Sequence, residues 1–337
     1  MERLASGVDM SKASFVGAVW MTDQAVELGE FDNNASGYAA LQQALMRKQA
    51  QQGAGQIHLV VEPTGGYELA LVAFAYEQGW VVSLPNPRQV REWAKGIGKR
   101  AKTDRVDAKL LAQFAAQRRP PAQPPLAAEV TELDNLLERR SDLETMLRQE
   151  QNRLGELRPR PGVPQSVLAN LEQMIQALEN ALQEIEQAIK QHLQTYTYLR
   201  EHRQRLLTIP GIGPKNVLPL LVLLLRWHTL TDGQGSDKGL TALVGLDPKP
   251  WESGTSVFHR PTISKMGNGE IRRLLYMGAL GALRGHNPLH DFYDRLVGRG
   301  KAKKLALVAA SRKLLTWAWA IFSTNSVWQP SPTPTCS

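Results

Sequence analysis

Two stretches of heptad spacing dominate the middle of the chain. Positions 133, 136, 140, 143, 147, 150, 154 and 157 step by three and four, and six of the eight are Leu. Positions 168, 171, 175, 178, 182, 185, 189 and 192 repeat the pattern, with seven of eight Leu or Ile. A stripe of that period is buried only by laying one helix along another. The break between them, Arg158-Pro-Arg-Pro-Gly-Val-Pro164, must end the first helix, because proline lacks an amide hydrogen and clashes with the preceding turn. The pair either folds back on itself as a hairpin or zips against another subunit. Seams this regular favour a homo-oligomer, a dimer or a tetramer. The rest of the chain lies on either side of this coiled-coil spacer, at 125–200.

On the N-terminal side, strand-like and helix-like segments alternate. Gly7-Val8-Asp9 opens a short strand, Phe15 to Trp20 and Val26 to Phe31 form a hairpin, and Ile57 to Val61 and Trp80 to Leu84 are further strands. Helical stretches fall at about 37–50, 66–78, 87–95 and 104–117, so residues 1–124 are expected to form an α/β layer domain. Pro-rich Arg119-Pro-Pro-Ala-Gln-Pro-Pro125 reads as a linker. Residues 201–322 are expected to be mainly helical, and the polar, proline-rich stretch 323–337 to be a disordered tail.

Composition removes several classes of chemistry. The only cysteine, Cys336, excludes a disulfide framework, a zinc finger and a Cys-based iron–sulfur site. No two of the seven histidines bracket a glutamate in a zincin motif, and His286 and His290 flank a helix-breaking Asn-Pro. The N-terminus lacks the apolar stretch of a signal peptide, and the nine-residue run Val217 to Leu225 falls short of the roughly 20 that span a bilayer. The expectation is a cytoplasmic protein with no membrane partner. Forty Lys plus Arg against 32 Asp plus Glu give a net charge of +8, which suits a polyanionic partner.

Four acids in the N-terminal region stand where chemistry could gather. Asp9 follows the first strand, Glu62 ends another, and Asp104 and Asp107 share one helix face through their i, i+3 spacing. Converging carboxylates repel unless divalent cations neutralise them, and oxygen ligands suit Mg²⁺ or Mn²⁺. Two such ions clamp the attacking and leaving oxygens of a phosphodiester. The plainer reading makes Asp104 a helix-start residue, Asp9 a turn residue and Glu62 a strand terminus. Around the acids, Arg88, Arg91, Lys95, Lys99, Arg100, Lys102, Arg105 and Lys109 form a dense basic track suited to nucleic acid.

Downstream, Thr208-Ile-Pro-Gly-Ile-Gly-Pro-Lys215 resembles the turn of helix-hairpin-helix modules. There, backbone N–H groups around Gly211 and Gly213 approach a phosphate beside Lys215, although a plain interhelical turn fits nearly as well. Ser253, before Gly254, is a candidate nucleophile or simply a turn serine. Thr255 and Ser256 are fallback nucleophiles, and Lys265, Arg272 and Arg273 are candidate phosphate contacts.

Taken in order, these pieces resemble the DEDD-type insertion-sequence transposases. The resemblance rests on Gly7-Val-Asp9, Glu62-Pro-Thr-Gly-Gly-Tyr67, Asn86-Pro-Arg-Gln-Val-Arg91 and Ala101-Lys-Thr-Asp-Arg-Val-Asp-Ala108. It continues through Ile209-Pro-Gly-Ile-Gly213, Leu243-Val-Gly-Leu246, Glu252-Ser-Gly-Thr-Ser256, Ile263-Ser-Lys265, Arg272-Arg273 and Leu275-Tyr-Met277. It implies a RuvC-like (RNase H-fold) N-terminal domain in which Asp9, Glu62, Asp104 and Asp107 hold the metal. It also implies that Ser253 attacks DNA to leave a phosphoserine linkage, and that a structured guide RNA pairs with donor and target DNA. The acids of one subunit serving the serine of another is a further expectation. His259, Pro261 and Met266 depart from the family's usual basic or small residues, which touches local contacts and not the chemistry. The competing readings are a Holliday-junction resolvase-like nuclease using metal-activated water, a site-specific DNA invertase, and a non-catalytic nucleic-acid-binding protein.

Overall fold

Five strands, β1 (Arg3–Met10), β2 (Ser14–Met21), β3 (Gln24–Asp32), β4 (Gln56–Val61) and β5 (Val81–Ser83), form one sheet in the order β3-β2-β1-β4-β5. The computed structural model describes residues 3–63, 65–98, 104–249, 252–253, 257–258 and 262–329, and leaves the side chains of 104–107, 249, 252–253 and 257–258 outside the description. The chain forms two compact units, Met1–Pro125 and Leu126–Ser337.

In the first unit, β1 to β3 form an antiparallel meander, and β4 and β5 continue parallel to β1. The β2–β3 turn has Thr22 and Asp23 at φ 43° and 65°, the left-handed pair that a two-residue hairpin requires. Side chains alternate across the pleat. Leu4, Val8 and Met10 enter a core with Leu41 and Leu45 of α1 (Ala35–Gln52) and Leu71 of α2 (Leu69–Glu77). Ala5 and Val60 face the other way, onto Val90 of α3 (Pro87–Gly96) and Leu111 and Phe114 of α4 (Asp104–Arg118). The sheet is therefore the middle of three layers.

The proline-rich segment does not hang free as a linker would. Gln123 donates its backbone N–H to Val82 O at 2.7 Å, and Ser83 Oγ donates toward Pro121 O at 2.8 Å. Ser83 Oγ also lies 2.8 Å from Nε2 of His58, which is buried on β4. Pinned this way, the segment closes the β5 edge of the sheet.

In the second unit, α5 (Ala128–Leu157) and α6 (Gln165–Thr195) pack on one another as a hairpin. His192 Nε2 meets Glu129 O at 2.7 Å at the base, and Arg158 pairs with Glu172 at 2.6 Å near the tip. The base of the seam joins one core with α7 (Thr197–Leu206) and α8 (Val217–Leu230) through Val130, Leu133, Leu137, Ile189 and Leu193, and Leu143 is buried midway along α5. Toward the tip, Leu147, Leu154, Leu171, Ile175 and Leu178 are half-buried. Helices α9 (Asp237–Val244), α10 (Gly269–Ala282), α11 (Pro288–Gly298) and α12 (Lys303–Thr324) complete the unit. Asn287 caps α11 with Pro288 in its first turn, so the Asn-Pro between the two histidines starts a helix.

One expectation changes at the C-terminal end. Residue 323 does not begin a disordered tail: α12 runs through Thr324, and Trp328 packs on Trp317 at 5.8 Å while its N–H donates to Thr208 Oγ1. By length and composition α12 could cross a membrane, although its charged residues leave no unbroken apolar run of that length. Within its most apolar 18-residue window just over half (56%) is buried in the protein, where Leu314, Leu315 and Phe322 fill the core.

Candidate active site

Strand register brings the first two acids together. β1 and β4 pair in parallel with Val8 opposite Val61, so Asp9 and Glu62 are the next positions on neighbouring strands. The alternation that turns Gly7 and Val60 toward the α3–α4 layer assigns Asp9 and Glu62 to the same face. Helix α4 crosses that face against Gly7, where a Cβ would lie 2.2 Å from Ala112 N and 2.5 Å from Ala108 O. Only glycine admits so close a helix. Because Ala108 rests on Gly7, the first turn of α4, with Asp104 and Asp107, begins beside the end of β1 that carries Asp9. The side chains of Asp104 and Asp107 lie outside the described residues. Among those described, no three His, Cys, Asp or Glu side chains gather.

Glu62 is largely buried, with 15% of its side chain exposed, and its Oε1 meets Arg91 Nη2 at 3.0 Å. Helix α3 is capped by Asn86, whose side chain accepts from Arg88 N. It buries Val90 and Ala94 and exposes Arg88, Arg91 and Lys95 on the opposite side. The first part of the expected basic track is thus one helix face, with Arg91 already paired to a candidate ligand. Lys109 reaches Glu27 at 3.3 Å. Lys99, Arg100 and Lys102, and the side chain of Arg105, lie outside the described residues.

The turn after Glu62 contains an acid that sequence reading passed over. Glu68 is buried, at 5% exposure, and its Oε2 accepts from Gly66 N at 3.1 Å. Its position at the start of a helix was the only signal that could have marked it.

In the second unit, Ser253 lies on a short hairpin. Strands β6 (Pro248–Lys249) and β9 (Thr262–Ile263) pair antiparallel, as do β7 (Glu252–Ser253) and β8 (Val257–Phe258) between them. Ser253 stands opposite Val257, and residues 254–256 lie outside the described residues. Thr255, Ser256, His259 and Pro261 lie outside the described residues. Lys265 adopts φ 54° and donates its N–H to Gly245 O, while Arg272 donates from Nη1 to Val244 O and Gly267 O. One guanidinium nitrogen of Arg272 therefore holds the chain together at the end of α9. Arg273 is exposed, 3.8 Å from Glu270.

The glycine turn at 208–216 satisfies itself. Gly213 N–H donates to Asn216 Oδ1 at 2.7 Å, and Asn216 Nδ2 donates to Gly211 O at 3.0 Å. Gly211, at φ 95°, is pressed against Gly278 of α10. The N–H of Gly213 thus already has a partner within the protein, whereas Lys215 is exposed.

Residues 6–157 match the DEDD transposase domain of IS110 type, and residues 203–294 match the transposase IS116/IS110/IS902 family. A pilin gene-inverting protein of Moraxella lacunata is 30% identical over 328 residues, covering 96% of this chain and 97% of that one. Its counterpart in Moraxella bovis matches over the same extent at the same identity.

The chain belongs to the IS110 family of transposases.

An insertion element IS110 protein of Streptomyces coelicolor is 26% identical over 126 residues, covering 37% of this chain. As an IS110-family transposase the protein is an enzyme of the transposase and site-specific recombinase class that acts on DNA. The two family matches leave 158–202 between them, so α6 falls outside both and α5 inside the first.

Proposed function

We propose that this IS110-family protein recombines DNA through a covalent phosphoserine intermediate, with Ser253 as nucleophile and an RNase H-like (RuvC-like) metal site of Asp9, Glu62, Asp104 and Asp107. The observation that carries the reading is the register that sets Asp9 beside Glu62, with the first turn of α4 starting at the same strand end. The sheet order β3-β2-β1-β4-β5, three antiparallel strands followed by two parallel ones, agrees with it. The donor set is all carboxylate and suits Mg²⁺ or Mn²⁺, and Glu62 already holds one cationic group in Arg91. Such an ion supplies charge stabilisation at the phosphate and lowers the pKa of a nearby hydroxyl.

The rest falls to the protein's own groups. Ser253 Oγ forms a bond to phosphorus as the bond to one sugar oxygen breaks. The serine proton leaves to a carboxylate or water, and the sugar oxygen departs as a hydroxyl. A hydroxyl on another strand then reverses the step, so the phosphodiester count is conserved without an outside energy source. Arg88, Arg91 and Lys95 on α3, with Lys99, Arg100, Lys102 and Arg105 beyond it, bind the backbone of donor and target DNA and of a structured guide RNA. In the second unit Lys265, Arg272, Arg273 and Lys215 serve the same charge, beside the turn of Gly211 and Gly213. The half-buried seam of α5 and α6 acts as a coiled coil in a homo-oligomer, and the protein works in the cytoplasm.

The match to pilin gene-inverting proteins over nearly the whole chain favours a second form of the same chemistry, inversion of a DNA segment. Both forms are tested by incubating the protein with DNA flanking its own gene and Mg²⁺, then running denaturing gels. A DNA–protein adduct lost in Ser253→Ala but kept in Thr255→Ala and Ser256→Ala is expected. Free 5′ phosphates with undiminished cleavage in Ser253→Ala would make the protein a resolvase-like nuclease. Sequencing the RNA that copurifies tests the guide, and the orientation of the joined products separates inversion from transposition.

A further inference from the structure

Three strands end at the edge of the sheet where Asp9 and Glu62 stand. β1 and β4 are parallel, and β3, antiparallel to β2, points the same way. Ser14 pairs with Asp32, the last residue of β3, so Asn33 emerges beside the turn after β1. Its backbone N–H donates to Ala13 O at 2.8 Å. Its side-chain amide donates to Ser11 O at 3.3 Å and to Tyr67 O at 3.2 Å, and its Oδ1 accepts from the Tyr38 hydroxyl. Ser11 lies two residues beyond Asp9, and Tyr67 five beyond Glu62. Tyr38, on α1, is buried, so the acceptor side of the amide is anchored in the core.

We propose that Asn33 is a positioning residue for the active site, a tie that sets the spacing between the loop leaving Asp9 and the loop leaving Glu62. The proposal rests on the reading of Asp9 and Glu62 as metal ligands. Both amide hydrogens and the amide oxygen are engaged, a set that only asparagine supplies in so short a side chain. Aspartate at this position would place a carboxylate against two carbonyl oxygens and lose both donations. Glu68 holds the same turn from inside through Gly66, so the Asn33 bond to Tyr67 fixes the turn's outer side relative to β1. A site made of one carboxylate near the end of β1 and another just past the end of β4 depends on that spacing, because metal affinity falls steeply when oxygens no longer converge.

The test uses the full chain and two readouts: Mn²⁺ binding, followed by the free-ion electron paramagnetic resonance signal, and the Mg²⁺ concentration giving half-maximal DNA cleavage. Asn33→Asp and Asn33→Leu are expected to weaken Mn²⁺ binding and raise the Mg²⁺ midpoint about tenfold. Excess Mg²⁺ should restore cleavage, and DNA binding without metal should stay unchanged. Tyr38→Phe, which keeps the ring and removes one bond, should shift both midpoints in the same direction by less. A merely structural role would lower the folded fraction and leave both midpoints where they are, and that result overturns the proposal. If the Asn33 variants do not fold, Tyr38→Phe carries the test, and unchanged midpoints in it are equally fatal. Asp9→Asn and Glu62→Gln run alongside. If they retain metal binding and cleavage, the metal reading fails and takes the proposal with it; if they are inactive while the Asn33 midpoints stay put, the proposal alone fails.

Discussion

Gly7 and Gly211 each sit in a short motif of the kind that brings backbone close to a phosphate or a catalytic group, and each presses against a helix. At Gly7 the neighbour is α4, and the contact leaves the first turn of that helix, with its two acids, next to the strand that carries Asp9. At Gly211 the neighbour is Gly278 of α10, and the Asn216 side chain takes up the Gly211 O and the Gly213 N–H. One close approach delivers chemistry to an edge, and the other closes a turn on itself. The sequence signal is the same in both places. The difference lies in the residues flanking each glycine's partner on its helix: Asp107 and Lys109, both charged, around Ala108, and Met277 and Ala279, both apolar, around Gly278.

Gly7→Ala should break the comparison on its first side. The added methyl group meets backbone of α4 and not a flexible side chain, so the helix must move or the unit must unfold. A loss above about 4 kcal/mol is expected, together with loss of metal-dependent cleavage, read by thermal unfolding and gel assay.

The sheet that carries the acids should also respond to pH through His58. Burial, followed by the charge of Arg3, lowers its pKa from 6.5 to about 4. Between those values the unfolded chain binds a proton that the folded chain does not, so stability falls as pH drops from 6.5 toward 4 and changes no further below. The full span is roughly 3 kcal/mol. Chemical unfolding at several pH values, with His58→Gln as the control that reduces the slope, sharpens the contrast between units. His202 in the second unit is shifted the same way by burial, so His58→Gln should leave part of the acid sensitivity in place.

Gly211→Ala should have the smallest effect of the three. It imposes a left-handed φ of 95° on a side chain and crowds Gly278 O at 2.8 Å, for a cost of about 1–3 kcal/mol. DNA binding by the folded protein should stay unchanged if the turn's role is packing. A salt-dependent loss of DNA affinity without loss of stability would instead assign the turn to phosphate contact.

Much of the N-terminal fold was legible because its signals are local. The alternation in 15–20 and 26–31 marks the β2–β3 hairpin, the apolar run Ile57 to Val61, interrupted only by His58, marks β4, and Asn86-Pro87 marks the start of α3. The heptad stripes mark α5 and α6 and leave open whether they pair within one chain, which the bond from His192 to Glu129 answers for the base of the hairpin. The proline-rich stretch and the described start of the tail, 323–329, depart from expectation for a common reason, while 330–337 lie outside the described residues. Composition reports that a segment has few apolar residues, but not that Val82, Ser83 or Thr208 offers a partner to its backbone.

Residue order alone placed acids at strand ends, basic residues on α3 and a serine in a glycine-bearing loop, since these depend on spacing within a few residues. Long-range pairing placed Asp9 beside Glu62, gave Glu62 to Arg91, pressed Gly211 onto Gly278 and tied two loops through Asn33. Those contacts join residues 53, 29 and 67 apart, and, across Asn33, 22 and 34 apart. Hydrogen bonds and ion pairs act over about 3 Å, so partners that far apart in sequence meet only once the sheet and its helices have closed around them.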